Sequence, residues 1–387
     1  MKILVISYNF GKTSSGKATE RIVDGLINRG HVIEVICGQN YVLDKPYTIH
    51  RINPHPLSPS RFFKFVGNFI GKEINYLFWQ IRAKKKGVEI IEKLIPDVIY
   101  SRGSPISSMI VGEFLRRKYN LPHSIHFADP IPPTLDWMNN SLERKKLMNT
   151  INPIIKNAGS ISFVTEEMSK YQFQSSNILN SSKYYFVSPN PLPDFVKFGK
   201  PTGDKFIFLF LGTFAAQRNP SVIINAFLEF SSVLKNVEFH IYGNSLNQKI
   251  FRELNLSHKS IKFFDSSNNV LEIMRNSNVL VDVDADVLNQ VFISGKLMEY
   301  IAVNRFILSI SPINSPTSNL LKGMEKSIVS STHNFADIVK SMSILYNRKW
   351  DNNLFSEREL LKEFVGFNSV IDRIERSFSY IIDINNG

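Results

Sequence analysis

Short apolar runs separated by helical patterns recur along this chain, and they do so in two successive series. In the first, KILVISY, HVIEVICG, DVIYSR, HSIHFAD and SISFVT alternate with segments such as ATERIVDGLINRG, where Ile22, Val23, Leu26 and Ile27 share a helical face and Gly30 supplies the stop. Strand runs interleaved with helices specify β-α-β units, and hence parallel sheets. The stretch FVSPNPLPDFVKFGKPTGD, 186–204, then carries four prolines and two glycines and reads as a boundary. After it the pattern restarts with FIFLFLGTF, VEFHIYG, SIKFFD, VLVDVD, RFILSIS and SIVSST, again with helical segments between. The closing stretch FNSVIDRIERSFSYII is amphipathic, with Val370, Ile371, Ile374 and Phe378 on one side. The expected organisation is an α/β domain over 1–190, a linker over 191–204, a second α/β domain over 205–365, and a helix over 366–387 that returns to the first.

Length agrees, since 387 residues exceed one ordinary core and suit two. At 43% hydrophobic and 21% charged residues the composition is globular. A single cysteine, Cys37, excludes a disulfide framework and fits a reducing, cytoplasmic setting. MKILVIS is too short an apolar run for a secretory signal, and no run of 18 or more apolar residues exists to span a membrane. The net charge of +12 is lopsided: residues 1–190 hold 25 Lys/Arg against 14 Asp/Glu, while 191–387 hold 21 against 20. A surplus confined to one half points to an anionic surface or partner.

Parallel α/β sheets bind ligands beyond the carboxyl ends of their strands, so the residues there come first. The opening loop GKTSSGKA comes within one residue of the phosphate-binding pattern G-x-x-x-x-G-K-[ST]; Ala18 stands where a hydroxyl would meet magnesium. Asp284 would be its distant acidic partner, but it falls in the other domain. Gly11 and Gly16 are therefore expected to let the backbone approach an anion or a sugar, without nucleotide hydrolysis. In the second domain, Gly212, Thr213 and Arg218 follow the first strand in GTFAAQRNP, and Arg218 at a helix mouth suits a diphosphate. Gly243 ends the next strand. In VFISGKLMEYIAVNRFIL, Ser294 and Gly295 lead a helix on which Lys296 and Glu299 lie three apart, one suited to neutralising phosphate and the other to accepting ribose hydroxyls. The carboxylates of DVDAD lack a second cluster to complete a metal shell, so neither a metal nor another cofactor is expected.

Taken in order and spacing, GTFAAQRN followed about eighty residues later by SGKLMEYIAVNRFIL resembles the donor-binding half of the retaining glycosyltransferase family 4. GHVIEVICG and FVSPNPL extend the likeness over nearly the whole chain. The resemblance implies a GT-B fold, two Rossmann-like domains facing each other across a cleft, and transfer from a nucleoside-diphosphate sugar with retention. It implies that Arg218 holds the donor diphosphate and that Glu299 is the second glutamate of an E-x7-E motif. Two departures stand out. Val291 replaces the first glutamate, for which Asp284 or Asp286 are the nearest substitutes, and Thr213 follows Gly212 where the family often has arginine.

The first domain is expected to bind the acceptor. His126 and Asp129, in HSIHFADP, are candidates for orienting it, with Asp129 as a base toward its hydroxyl and a buried structural histidine as the alternative for His126. In VTEEM, Thr165 and Glu166 either face the ligand or cap a helix. The segment 60–87 interleaves aromatic and basic residues, with Arg61, Lys64, Lys84, Lys85 and Lys86 beside Phe62, Phe65, Phe69, Ile74, Phe78 and Ile81. Such a mixture suits an anionic membrane surface, and no nucleic-acid motif accompanies it. The expected picture is a cytoplasmic enzyme, peripheral on the inner membrane face, acting on a lipid-linked or glycan acceptor of bacterial surface polysaccharide. A sugar-nucleotide epimerase and a non-catalytic, membrane-bound sugar-nucleotide-binding module are the alternatives.

Overall fold

The computed structural model describes residues 1–11, 13–38, 45–53, 76–103, 105–176, 184–214, 218–256, 258–267, 269–287, 289–351 and 354–386. Arg61, Lys64 and the apolar positions Phe62, Phe65, Phe69 and Ile74 lie outside these described residues. The chain forms two compact units, one made of 1–191 with 365–387 and the other of 192–364.

The first unit runs β1 (Lys2–Ser7), α1 (Ser14–Asn28), β2 (Val32–Cys37), β3 (Thr48–Arg51), α2 (Leu77–Leu94), β4 (Val98–Gly103), α3 (Ser107–Tyr119), β5 (His123–Phe127), α4 (Ser141–Asn157), β6 (Ser160–Phe163), α5 (Glu166–Ser176) and β7 (Tyr184–Val187). Its seven strands lie in the order β3-β2-β1-β4-β5-β6-β7, every pair parallel. Helices cover both faces, which is why KILVIS is apolar throughout rather than alternating. Ile3 and Val5 pack with Ile22, Val23 and Leu26 of α1, whereas Leu4 and Ile6 pack on the other face with Trp79, Ala83 and Leu115.

The second unit runs β8 (Phe206–Leu211), α6 (Ser221–Ser231), β9 (Val237–Gly243), α7 (Leu246–Glu253), β10 (Ile261–Asp265), α8 (Val270–Arg275), β11 (Val279–Val283), α9 (Gly295–Ile301), β12 (Phe306–Ile310), α10 (Pro316–Leu320), β13 (Ile328–Ser331) and α11 (Phe335–Asn347). Its six strands are also parallel, in the order β10-β9-β8-β11-β12-β13. The Pro-rich stretch after Pro191 is part of this unit. Val196 bridges to Val303, Asn304 exchanges hydrogen bonds with the Phe198 backbone, and Phe195 stacks on Phe355 at 4.6 Å. Arg358 lies buried in a 3-10 turn and donates to the carbonyls of Val303 (2.7 Å) and Arg305 (2.6 Å).

A short helix α12 (Lys362–Val365) leads to α13 (Phe367–Asn386), whose apolar face joins the core of the first unit. Val370, Ile371, Ile374 and Phe378 pack with α1, and Tyr100 meets Phe378 edge-on at 5.2 Å. At the rim Arg29 pairs with Asp372 (2.6 Å) and Glu375, and His31 with Glu375 (2.6 Å). Partly exposed pairs of this kind contribute little beside the buried apolar surface. Truncating Ile374 to alanine is expected to lower stability by about 2–5 kcal/mol. Urea unfolding is the measurement, with Ser379→Ala on the exposed side of α13 expected to change it little.

Candidate functional site

In the second unit the ends of β8, β9 and β11 and the start of α9 converge. Gly212, just past β8, has φ +135°, a backbone conformation that disfavours any side chain. A Cβ there would occupy the place of Lys296 Nζ, so the glycine admits the lysine. Gly243 is bare for a related reason: a Cβ would meet the Gly212 carbonyl and the Asn247 amide. Asn247 fixes the loop from both sides, donating from Nδ2 to Gly212 O (2.7 Å) and accepting from Phe214 N at Oδ1 (3.0 Å). The Tyr300 hydroxyl accepts from Leu211 N (3.1 Å), which ties α9 to the end of β8.

Lys296 lies 5.5 Å over the Phe210 ring and is mostly withdrawn from water. Burial and the neighbouring Arg218 guanidinium draw its ammonium down to about 8. Arg218 is half-buried, and its Nε is sealed from solvent without a hydrogen-bond partner. The two cations share one buried neighbour, Asp282, yet neither makes an ion pair within 4 Å among the described residues. Asp282 is raised above the ordinary carboxylate range by burial, partly offset by a hydrogen bond with Ser294. Asp284, two residues on, is pushed up to about 7 by burial and by Asp282. Two adjacent cations with an incomplete complement of negative charge repel each other, and an oxyanion between them would relieve that repulsion and the unmet hydrogen bonding together.

The structure therefore brings Gly212, Gly243, Ser294, Gly295 and Lys296 together, with Arg218 as the second cation. Thr213 and Glu299 are half-buried at the same end of the unit. Val291 is 5% exposed and packs as a core residue. Of the two acids nearest to it in sequence, Asp284 is buried within reach of Arg218 and Gln290, whereas Asp286 is exposed. Asn247, Gln290 and Tyr300 enter the site without having stood out in the sequence, and Asp282, noted there only as one of the DVDAD carboxylates, joins them. The alternation in VLVDVD was the one available signal, since it sends Asp282 and Asp284 to the same face. Among the described residues no group of three or more His, Cys, Asp or Glu side chains could hold a metal ion.

In the first unit Gly11 has φ +69°, and Gly16 lies inside the first turn of α1, where a Cβ would collide with the Asn9 carbonyl. Thr13 caps that helix by accepting from Gly16 N (3.1 Å). Ala18 is 1% exposed, so its place in the motif is one of packing; Lys17 points outward and Lys12 is outside the described residues. His126 lies within β5, fully buried, with Nδ1 3.0 Å from Ser162 Oγ. Burial and the nearby Arg102 hold it well below the ordinary histidine range. The strand runs one residue past it, which sets the ring among the interior groups of the sheet. Asp129 lies beyond the strand end and is exposed. Thr165 is a helix cap, accepting from Met168 N (3.0 Å), and Glu166 is exposed. On α2, Lys84 is half-buried 5.0 Å over Phe114, Lys85 is exposed, and Lys86 pairs with Glu89 at 2.5 Å. A groove of about 540 Å³ there is lined by Lys84, Ile110, Glu113, Phe114, Arg117 and Lys118.

No family model and no curated protein matches the chain. Solved structures do. A trehalose-phosphate synthase (UDP-forming) from Burkholderia vietnamiensis aligns over 99% of each chain at 10% identity, with a TM-score of 0.70. A glycosyltransferase from Rickettsia africae covers 98% of each chain at 10% identity and TM-score 0.65. A UDP-GlcNAc 2-epimerase from Methanocaldococcus jannaschii covers 98% of this chain and 100% of its own, at 15% identity and TM-score 0.58. These likenesses and the two parallel sheets define an α/β, two-domain, Rossmann-like GT-B fold.

The electrostatics of the site carry a consequence for stability. Asp284 titrates near 3.8 when unfolded and near 7 when folded, so folding favours its protonated form. That contribution is fully present below about pH 4 and is lost as pH rises through about 7. Asp284→Asn is therefore expected to be more stable than the wild type at pH 8, with the advantage shrinking toward pH 5, as read from urea midpoints at both values.

Proposed function

We propose that the chain is a retaining, metal-independent glycosyltransferase of hexosyl type, which moves a sugar from a nucleoside diphosphate to an acceptor held by the first unit. The observation that carries this reading is the pair Arg218 and Lys296, adjacent, partly desolvated and free of ion pairs among the described residues. Departure of the sugar leaves negative charge on the diphosphate, and preorganised cations in a water-poor setting stabilise such charge far better than water does. Gly212, Thr213, Gly243, Ser294 and Gly295 supply close backbone approach to the phosphates, and Glu299 accepts the ribose hydroxyls. In the first unit, Asp129 acts as base toward the acceptor hydroxyl, and Gly11 and Gly16 allow close backbone approach to a ligand of that unit. The resemblance to family 4 in sequence and the Rickettsia glycosyltransferase likeness in structure support the assignment.

The acceptor in this reading is a lipid-linked glycan of bacterial surface polysaccharide, met at the inner face of the cell membrane by a cytoplasmic enzyme. Lys84, Arg117 and Lys118 converge on one groove beside the exposed Phe114 and Ile81, a basic and apolar mixture suited to anionic headgroups. Among the described residues no helix is long and apolar enough to cross a membrane, so contact would be peripheral. Arg61 and Lys64, in the same aromatic and basic stretch of sequence as Lys84, are assigned to membrane contact on that ground alone.

The epimerase likeness supports a second reading on the same donor site. Incubation with nucleotide sugar alone separates the two, because an epimerase needs no acceptor. Under the favoured reading Arg218→Ala and Glu299→Ala are each expected to lower sugar transfer about tenfold or more, while circular dichroism and the unfolding midpoint stay near wild type. Unchanged transfer rates would remove both residues from the site. Replacing Lys84, Arg117 and Lys118 with glutamate is expected to abolish cosedimentation with anionic liposomes; retained sedimentation would end the membrane assignment.

A further inference from the structure

The first sheet contains a buried cation that the transfer chemistry above does not use. Arg102 is the penultimate residue of β4 and is 1% exposed. Its Nε donates to Thr19 Oγ1 (2.9 Å) and its Nη1 to the Tyr100 hydroxyl (2.7 Å), so the guanidinium is held in place by neutral groups alone. Its third nitrogen, Nη2, has no hydrogen-bond partner, and Arg102 makes no ion pair among the described residues. A guanidinium withdrawn from water without a carboxylate is costly unless its donors are met.

A second unmet group lies beside it. His126 of β5 stands in register with Arg102 on the same face of the sheet, and its Nε2 is likewise buried without a partner. With the Ser162 hydroxyl turned from the Ile125 carbonyl (3.4 Å) to donate to Nδ1 (3.0 Å), the tautomer carrying its proton on Nε2 presents a second N–H donor. The place is informative as well. The strand order reverses between β1 and β4, so Arg102 on β4 borders the switch point, where α/β sheets take ligands beyond the carboxyl ends of their strands, and His126 lies one strand further on. Helix α1, to which Arg102 is tied through Thr19, has no acidic residue in its first turn to neutralise its positive end.

We propose that the carboxyl ends of β4 and β5 form a phosphate- or carboxylate-type oxyanion site, clamped by Nη2 of Arg102 and Nε2 of His126. On the glycosyl-transfer reading, on which this part of the inference rests, the occupant is the anionic group of the acceptor, since the donor diphosphate goes to Arg218 and Lys296. His126 is then a binding residue, which gives its burial a purpose. Both nitrogens are sealed from solvent, so the oxyanion enters as side chains at the strand ends shift to admit it.

Inorganic phosphate added to the full chain in phosphate-free buffer is the probe. Two readouts are used: the thermal midpoint and the His126 ring resonances, assigned by their loss in His126→Asn. Phosphate is expected to raise the midpoint and to shift the His126 signals. Arg102→Gln is expected to lose the His126 shift, keeping only the midpoint rise that comes from the Arg218 and Lys296 site, and Arg218→Ala with Lys296→Ala to keep the His126 shift while losing the response to nucleoside diphosphates. Silence of His126 toward phosphate in the wild type overturns the site, as does a full His126 shift in Arg102→Gln. Loss of the His126 shift in the Arg218 and Lys296 double variant overturns it too, by moving the anion to the donor site. Where Arg102→Gln does not fold, Arg102→Lys keeps the charge without the forked donors, and an undiminished His126 response there also overturns the site. If nucleoside diphosphates fail to bind while phosphate still moves His126, the oxyanion site stands and its assignment to an acceptor falls.

Discussion

Much of the second unit's chemistry depends on one close approach, Lys296 against the bare backbone of Gly212. Any side chain at 212 would evict the ammonium, and the positive φ at that residue already excludes most of them. Asn247 and Tyr300 hold the two walls of this contact from either side, one through the loop and one through the helix. The contact places a lysine next to Arg218 in a poorly hydrated corner, where burial and then Arg218 draw its ammonium down while burial raises Asp282 and Asp284. A steric fact about a glycine thus becomes an electrostatic fact about a site.

How much of this could be read from the chain beforehand varies by element. Five of the first unit's seven strands and all six of the second unit's are visible as apolar runs, because strands buried on both faces must be apolar throughout. The two that escape notice are β3 and β7, each four residues long. Brevity is not their only handicap: TIHR is a half-buried edge strand, and YYFV merges into the Pro-rich run that follows it. The stretch 191–204 misleads for a different reason. Its prolines and glycines do mark a change of unit, but Phe195, Val196 and Phe198 pack inward, and spacing alone does not register such anchoring.

The site shows the same division. Arg218, Lys296 and Glu299 stand out because charged residues near strand ends and helix starts are few. Asn247, Gln290 and Tyr300 are ordinary residue types whose roles exist only through contacts between segments distant in sequence. The opening loop errs in the other direction. Its similarity to a phosphate loop comes from Gly16, yet that glycine sits within α1 and is required by the Asn9 carbonyl. His126 was legible as a polar residue at a strand end with burial as one of two readings, and the choice between them depends on the residues that follow it.

The return of α13 to the first unit has a consequence for the order of events during synthesis. The core around β1 and α1 is completed by Val370, Ile371, Ile374 and Phe378, which leave the ribosome after the whole of the second unit. Domains commonly fold in the order in which they emerge. Here the earlier one waits with an uncovered apolar flank while the later one closes, so a chain released a few turns short would carry a finished second unit and an unfinished first.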